Sequence, residues 1–327
     1  MRKDIMRSSD LRKKRIRKKR KKRFLITLSV LVVIAGGILF AQYIINKENK
    51  KNSQNVNVQA SKEDEKKSDP KENENKKDSK EENKEDKPLL KNKNVNPEGD
   101  KYAIEAEKVK SMIEGKGEKD DKKIAFLTFD DGPSTTVTPK ILDTLKEKDV
   151  KATFFLVGNA VDNKKHEDLV KRAFNEGHAL ANHSYTHNYK TLYPGNHINI
   201  DAYMDEFNKT NEAIKKILGD DFNTRVMRMP GGYMSRKHYK DPNLNAFDQK
   251  LSEKNIVSID WNALNGDAEG KKRGAGELLE RAKKTVKGHD KAIILMHDTY
   301  GKEGTAEALP QIIDFLKGEG YEFRSIK

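Results

Sequence analysis

The chain has 327 residues, only 34% of them hydrophobic, a formal net charge of +14 and no cysteine. The missing cysteine excludes disulfides, thiolate metal sites and cysteine nucleophiles, and the length allows one large domain or two ordinary ones. The charge does not imply nucleic-acid binding: 14 Lys/Arg against Asp4 and Asp10 fall in the first 23 residues, leaving about +2 on all that follows.

Residues 1–23 therefore read as a basic cytoplasmic head. Residues 24–45, FLITLSVLVVIAGGILFAQYII, carry no charge and are long enough to cross a hydrocarbon core of about 30 Å. Basic residues directly before such a run stay on the cytoplasmic side, so the head is expected inside a cell membrane and everything after it outside. A cleavable signal peptide is the rival reading. Its apolar core would be about 7–15 residues with a small-residue cleavage site, and this run fits neither requirement well. Residues 46–100 are almost entirely Lys, Glu, Asn, Asp and Ser; a segment with so little to bury is expected to be a disordered spacer. Residues 101–121 are expected to hold a short helical lead-in.

From residue 122 the texture changes. Apolar runs at Ile124–Phe129, Ala152–Val157, His178–Asn182 and Ala292–Met296 read as parallel strands covered on both faces. Helical periodicity lies between and after them, at Pro139–Lys148, Glu167–Glu176, Met204–Leu218, Gly276–Lys287 and Ala306–Lys317. Weaker strands fit Arg225–Arg228, Ile256–Ile259 and Tyr321–Phe323. The alternation predicts an α/β fold with a parallel sheet, and seven strand candidates suit a small, incomplete barrel. No glycine fingerprint follows the first strand to support a dinucleotide fold.

Chemistry-bearing residues gather at the ends of the predicted strands. The first ends in Thr128-Phe129-Asp130-Asp131-Gly132-Pro133-Ser134, two adjacent carboxylates that cannot point the same way from a strand and so take different roles. His183-Ser184-Tyr185-Thr186-His187 places two imidazoles four residues apart, a spacing that in a helical turn converges on one cation. Arg228-Met229-Pro230-Gly231-Gly232-Tyr233 offers a guanidinium and a turn that exposes backbone N–H groups. Leu295-Met296-His297-Asp298 carries a histidine out of a buried strand, where it can donate a proton. Each has an ordinary reading: a surface turn, two unrelated histidines, a surface arginine, a satisfied core histidine. Their joint placement at successive strand ends of one domain is hard to reach by chance.

In this order TFDDGPS, HSYTH, RMPGG, DWNALNGD and LMHD resemble the polysaccharide deacetylase family, the NodB-homology domain of carbohydrate esterase family four, over residues 122–327. The resemblance implies a distorted (β/α)₇ barrel and hydrolysis of N-acetyl groups. It implies Asp130 as general base and Asp131, His183 and His187 as ligands of a divalent metal ion, zinc foremost. Arg228 then holds the base carboxylate, His297 is the general acid, Leu295 walls the acetyl pocket, and the N–H near Gly231 meets the oxyanion. Met229 stands where many members carry a second proline, and Gly231 where they carry an aromatic, so the pocket rim differs. Around Trp261, itself a candidate substrate contact, Asp260 and Asp267 compete to orient His297, with Asp267 preferred.

The expected substrate is cell-wall glycan, with GlcNAc of peptidoglycan first, then MurNAc, a secreted poly-GlcNAc and O-acetyl xylan. The expected partners are that glycan and, through residues 24–45, the lipid bilayer. A catalytically inactive carbohydrate-binding wall protein is the competing class; such a protein usually loses a ligand or the base, and here every position is filled. A cation-dependent surface adhesin is a third class, with nothing in the head to support signalling.

Overall fold

The continuous apolar runs form the strands of one parallel sheet. The computed structural model describes residues 93–117 and 120–327. Its strands are β1 (Ala103–Ile104), β2 (Ile124–Asp130), β3 (Thr153–Leu156), β4 (Ala179–Asn182), β5 (Val226–Met227), β6 (Val257–Ser258), β7 (Ala263–Leu264), β8 (Lys291–His297), β9 (Glu322–Phe323) and β10 (Ser325–Ile326). The main sheet runs β6-β5-β4-β3-β2-β8-β7, parallel throughout, and β9 pairs with the first residues of β2. It curls into a half-barrel, and no ladder joins β6 to β7 among the described residues.

Side-chain alternation along these strands decides what each face can do. On β2, Ala125, Leu127 and Phe129 face outward, into a core shared with the helices Thr138–Glu147, Ala275–Val286 and Glu303–Gly318. Ile124 and Phe126 face inward, with Phe155, Ala181, Val226 and Ile293, against the helix Ala106–Ile113. The same parity carries Thr128 and Asp130 inward from β2, His297 from β8, and the residues just past β4 and β5, His183 and Arg228.

Several expectations change in detail. The weaker strands shrink to two residues each, and β7 and the β1–β10 pair are additional. The helix expected from Met204 begins at Ile200, where the Asn199 side chain accepts the Ala202 N–H. The end of the expected spacer is folded. Leu180 N–H donates to the Asn94 carbonyl, and the buried Asn94 amide donates to the Ile326 carbonyl. Polar composition hid this because the buried polar groups of Asn94 are hydrogen-bonded rather than exposed. The basic head, the apolar segment 24–45 and the rest of the spacer lie outside the described residues. Among the described residues, no helix is long and apolar enough to cross a membrane.

Phe154 anchors the outer core, fully buried and stacked on Phe129 with ring centroids 5.1 Å apart. Phe154→Ala should therefore cost about 3–5 kcal/mol of stability, measured as a lowered urea midpoint.

Candidate active site

β2 delivers Asp130 at its last position, 2% exposed, opposite His297 in the ladder with β8. The next residue, Asp131, has left the strand with φ 70°, so the two carboxylates part company as their adjacency requires. Arg228 is fully buried, and its Nη1 donates to both Asp130 Oδ1 (2.7 Å) and Thr128 Oγ1 (2.8 Å). Its Nε donates to the Ile259 carbonyl at 2.9 Å, and the guanidinium lies 4.1 Å from the centre of the Phe155 ring.

His183 and His187 reach Asp131 from the loop after β4. That loop is irregular, with positive φ at Ser184 and His187, rather than the helical turn that the spacing suggests. Glu206, buried on the helix Ile200–Leu218, causes the departure. It accepts the N–H groups of Tyr185 (3.1 Å) and Thr186 (3.0 Å) and the Thr186 hydroxyl, giving the loop's polar groups partners that a helix would not use. Asn182 Oδ1 takes the Ser184 N–H, and Ser184 Oγ takes that of His187. The sequence reading missed Glu206, whose only signal was a carboxylate in mid-helix.

The donor set suits a cation. His183 Nδ1 donates to the Arg228 carbonyl at 2.8 Å, which in the neutral ring leaves a lone pair on Nε2. That Nε2 lies 3.4 Å from Asp131 Oδ1, and His187 Nε2 lies 3.3 Å from the same oxygen, which is buried without a hydrogen bond. One ligand atom from each of Asp131, His183 and His187 lies within 4.8 Å of the others. Electron pairs converging at this range call for a positive charge between them. Burial disfavours the His183 imidazolium, yet Asp130 and Asp131 outweigh it and raise its pKa. Burial pushes Asp131 up, but the surrounding imidazoles hold its carboxyl far below the usual range.

His297 stands across this cluster, its Nε2 4.0 Å from Asp131 Oδ2. Asp267 Oδ1 accepts from His297 Nδ1 at 2.7 Å, while Asp267 Oδ2 accepts from the His297 N–H (2.9 Å) and the Thr305 hydroxyl (2.7 Å). Asp260 is occupied elsewhere, accepting the N–H groups of Tyr233 and Met234 at 2.8 Å each. Burial opposes charge on His297, but Asp267 outweighs it, helped by Asp130 and Asp131, so its pKa is raised.

The remaining predicted residues line the surroundings. Leu295, 8% exposed, points inward two residues before His297. Gly231 turns the chain at φ 78°, and the Trp261 indole lies against Gly232 with its ring centre 5.5 Å from the Arg228 guanidinium. Asp298, the last residue of LMHD, is fully buried. Its carboxylate covers Gly132 so closely that any side chain there would collide with it; its Oδ2 accepts from Thr138 Oγ1 at 2.6 Å and its carbonyl from Ser134 Oγ at 2.6 Å. Burial, with Asp131 and Asp130 nearby, pushes Asp298 up to about 7.

With this geometry in place, the likeness to known proteins is specific. Residues 117–246 match the family described as Polysaccharide deacetylase. A peptidoglycan-N-acetylglucosamine deacetylase of Bacillus cereus is 35% identical over 215 residues, 63% of this chain and 70% of the relative. The peptidoglycan-N-acetylmuramic acid deacetylase PdaA of Bacillus subtilis is 34% identical over 205 residues, with the same coverage of each. Among solved structures, a Streptococcus mutans CE4 esterase superposes with a TM-score of 0.64 at 38% identity, covering 72% of this chain and 96% of that one.

The hydrogen bonds of His297 give a measurable expectation. A partner that raises an imidazole pKa lets the charged form persist to higher pH, so its removal moves the titration down. Followed by NMR, His297 should titrate at lower pH in Asp267→Asn than in the unaltered protein, and Asp260→Asn should shift it less.

Proposed function

Because the chain belongs to the polysaccharide deacetylase family, whose members are deacetylase hydrolases, we propose that it removes N-acetyl groups from amino sugars of cell-wall glycan. GlcNAc of peptidoglycan is the first choice of substrate. The observation that carries this reading is the convergence of Asp131, His183 and His187 beside Asp130 and His297. Relatives of nearly equal identity are named for GlcNAc and for MurNAc, so MurNAc is the runner-up.

Asp131, His183 and His187 would hold a divalent ion, zinc foremost given two imidazoles and a carboxylate. When bound there, such an ion supplies Lewis acidity to the acetyl carbonyl and to the attacking water. Asp130 takes the proton of that water. Arg228 fixes Asp130 through Oδ1, leaving Oδ2 on the side of His183, 3.7 Å from its Nε2. The backbone N–H near Gly231 meets the charge that develops on the acetyl oxygen. His297, held by Asp267, gives its proton to the departing sugar nitrogen, because an amine anion is too poor a leaving group to go unaided. Leu295 walls the space for the acetyl methyl, and Trp261 contacts the sugar.

We place this activity outside a cell membrane. Residues 24–45 have the length and lack of charge of a spanning helix, the basic head before them favours the cytoplasmic side, and residues 46 to about 92 serve as the tether.

Two experiments test these readings. Mass spectrometry of muropeptides treated with the purified enzyme should show loss of acetyl from GlcNAc. Asp130→Asn should keep its bound metal and lose roughly 10²–10⁴-fold in rate, whereas Asp131→Asn should lose the metal itself; equal metal content in both would sink this division of roles. In intact cells, added protease should degrade the catalytic domain and spare a tag placed before Met1, and a protected domain would overturn the topology.

A further inference from the structure

Gly231 leaves the rim of the site without a side chain, and the space is not empty. A Cβ on Gly231 would fall 2.5 Å from Tyr189 Oη and 3.3 Å from Tyr189 Cζ, so the Tyr189 phenol lies directly over that turn. Tyr189 opens the short helix Tyr189–Leu192, two residues after His187. Its ring meets His187 edge-on at 5.7 Å between centroids and Tyr193 at 5.5 Å. It remains 45% exposed although it touches the metal-ligand loop on one side and the Gly231 turn on the other.

Its hydroxyl differs from those of the neighbouring tyrosines. Tyr193 Oη bonds Tyr203 Oη and the Pro230 carbonyl, Tyr185 Oη bonds Asp162, and Tyr233 Oη bonds Asp248. Tyr189 Oη has no hydrogen bond among the described residues. An aromatic ring held by edge and tilted contacts with two neighbouring rings, half open to solvent, with an unused donor beside the reacting centre, is suited to bind a sugar. Its face offers apolar surface and its tip a hydrogen bond.

We propose that Tyr189 is a substrate-binding, specificity-determining residue: its ring walls the groove above Gly231 and its hydroxyl hydrogen-bonds the sugar that carries the acetyl group. This rests on the deacetylase reading above and adds a residue to it. It also gives Gly231 a steric reason, because a side chain there would push the Tyr189 phenol from its place.

The test compares Tyr189→Phe and Tyr189→Ala with the unaltered enzyme on an N-acetylglucosamine tetramer and on a simple acetyl ester that lacks a sugar. Tyr189→Phe keeps the ring against His187, so metal content should not change, while KM for the tetramer rises about three- to tenfold, the worth of one hydrogen bond, with kcat nearly constant. The ratio of tetramer to ester kcat/KM should fall by a similar factor, and further in Tyr189→Ala. An unchanged ratio in both variants, or a loss of metal in Tyr189→Phe that accounts for its whole defect, overturns the proposal. If the unaltered enzyme cleaves the ester but leaves the tetramer intact, the GlcNAc reading fails and takes this inference with it.

Discussion

A guanidinium with no access to water, Arg228, is the constraint on which the site depends. Leaving such a charge buried without its partner would cost about 3–5 kcal/mol, so the surrounding residues must be arranged to meet it. They do so from three directions: Asp130 and Thr128 from β2, the Ile259 and Asp260 carbonyls from the segment after β6, and the Phe155 ring from β3. The fork geometry of arginine lets one residue satisfy them together, which a lysine could not. The Arg228 carbonyl also fixes the tautomer of His183. One residue thereby sets the position of a carboxylate and the direction of an imidazole lone pair.

The loop that carries the two histidines depends on a buried carboxyl side chain. Glu206 stands in for the hydrogen bonds that the irregular backbone of residues 184–187 lacks, and Asn182 connects that loop to the helix behind it through the Phe207 carbonyl and Asn211. On the opposite side, Asp298 clasps the turn after Asp131. The polar groups around the cluster are thus held in directions that would otherwise be costly to maintain, consistent with preorganised polar sites.

What the sequence revealed followed from how strongly each element was written. β2, β3, β4 and β8 are continuous apolar runs and were readable, whereas Ala263–Leu264 is too short to carry a periodic signal. The motifs of Asp130, Asp131, His183, His187, Arg228 and His297 were legible because they sit at strand ends; parity sets the direction of Asp130, His183, Arg228 and His297, whereas Asp131 and His187 lie beyond the strands with positive φ. The helical-turn reading of the histidine pair went wrong because spacing alone cannot report a buried glutamate about twenty residues away. Asp260 competed with Asp267 in the sequence because the reach of each depends on the path between β6 and β8; the preferred Asp267 is the one that meets His297. Tyr189 was invisible for a different reason: its place is defined by a glycine some forty residues later.

The segment leading into the domain meets the sheet at the end opposite this cluster. Asn94 bonds Leu180 at the start of β4 and the Ile326 carbonyl, while the Ile326 N–H bonds Thr153 at the start of β3. Asp130, His183 and His297 lie at the other ends of their strands. A mechanical load pulled through the chain ahead of residue 93 would therefore first strain the bonds around Asn94 and the bridge from Lys93 to Asn223. Those contacts would yield like a fuse while the geometry of the Asp130–His183–His297 cluster stayed unloaded.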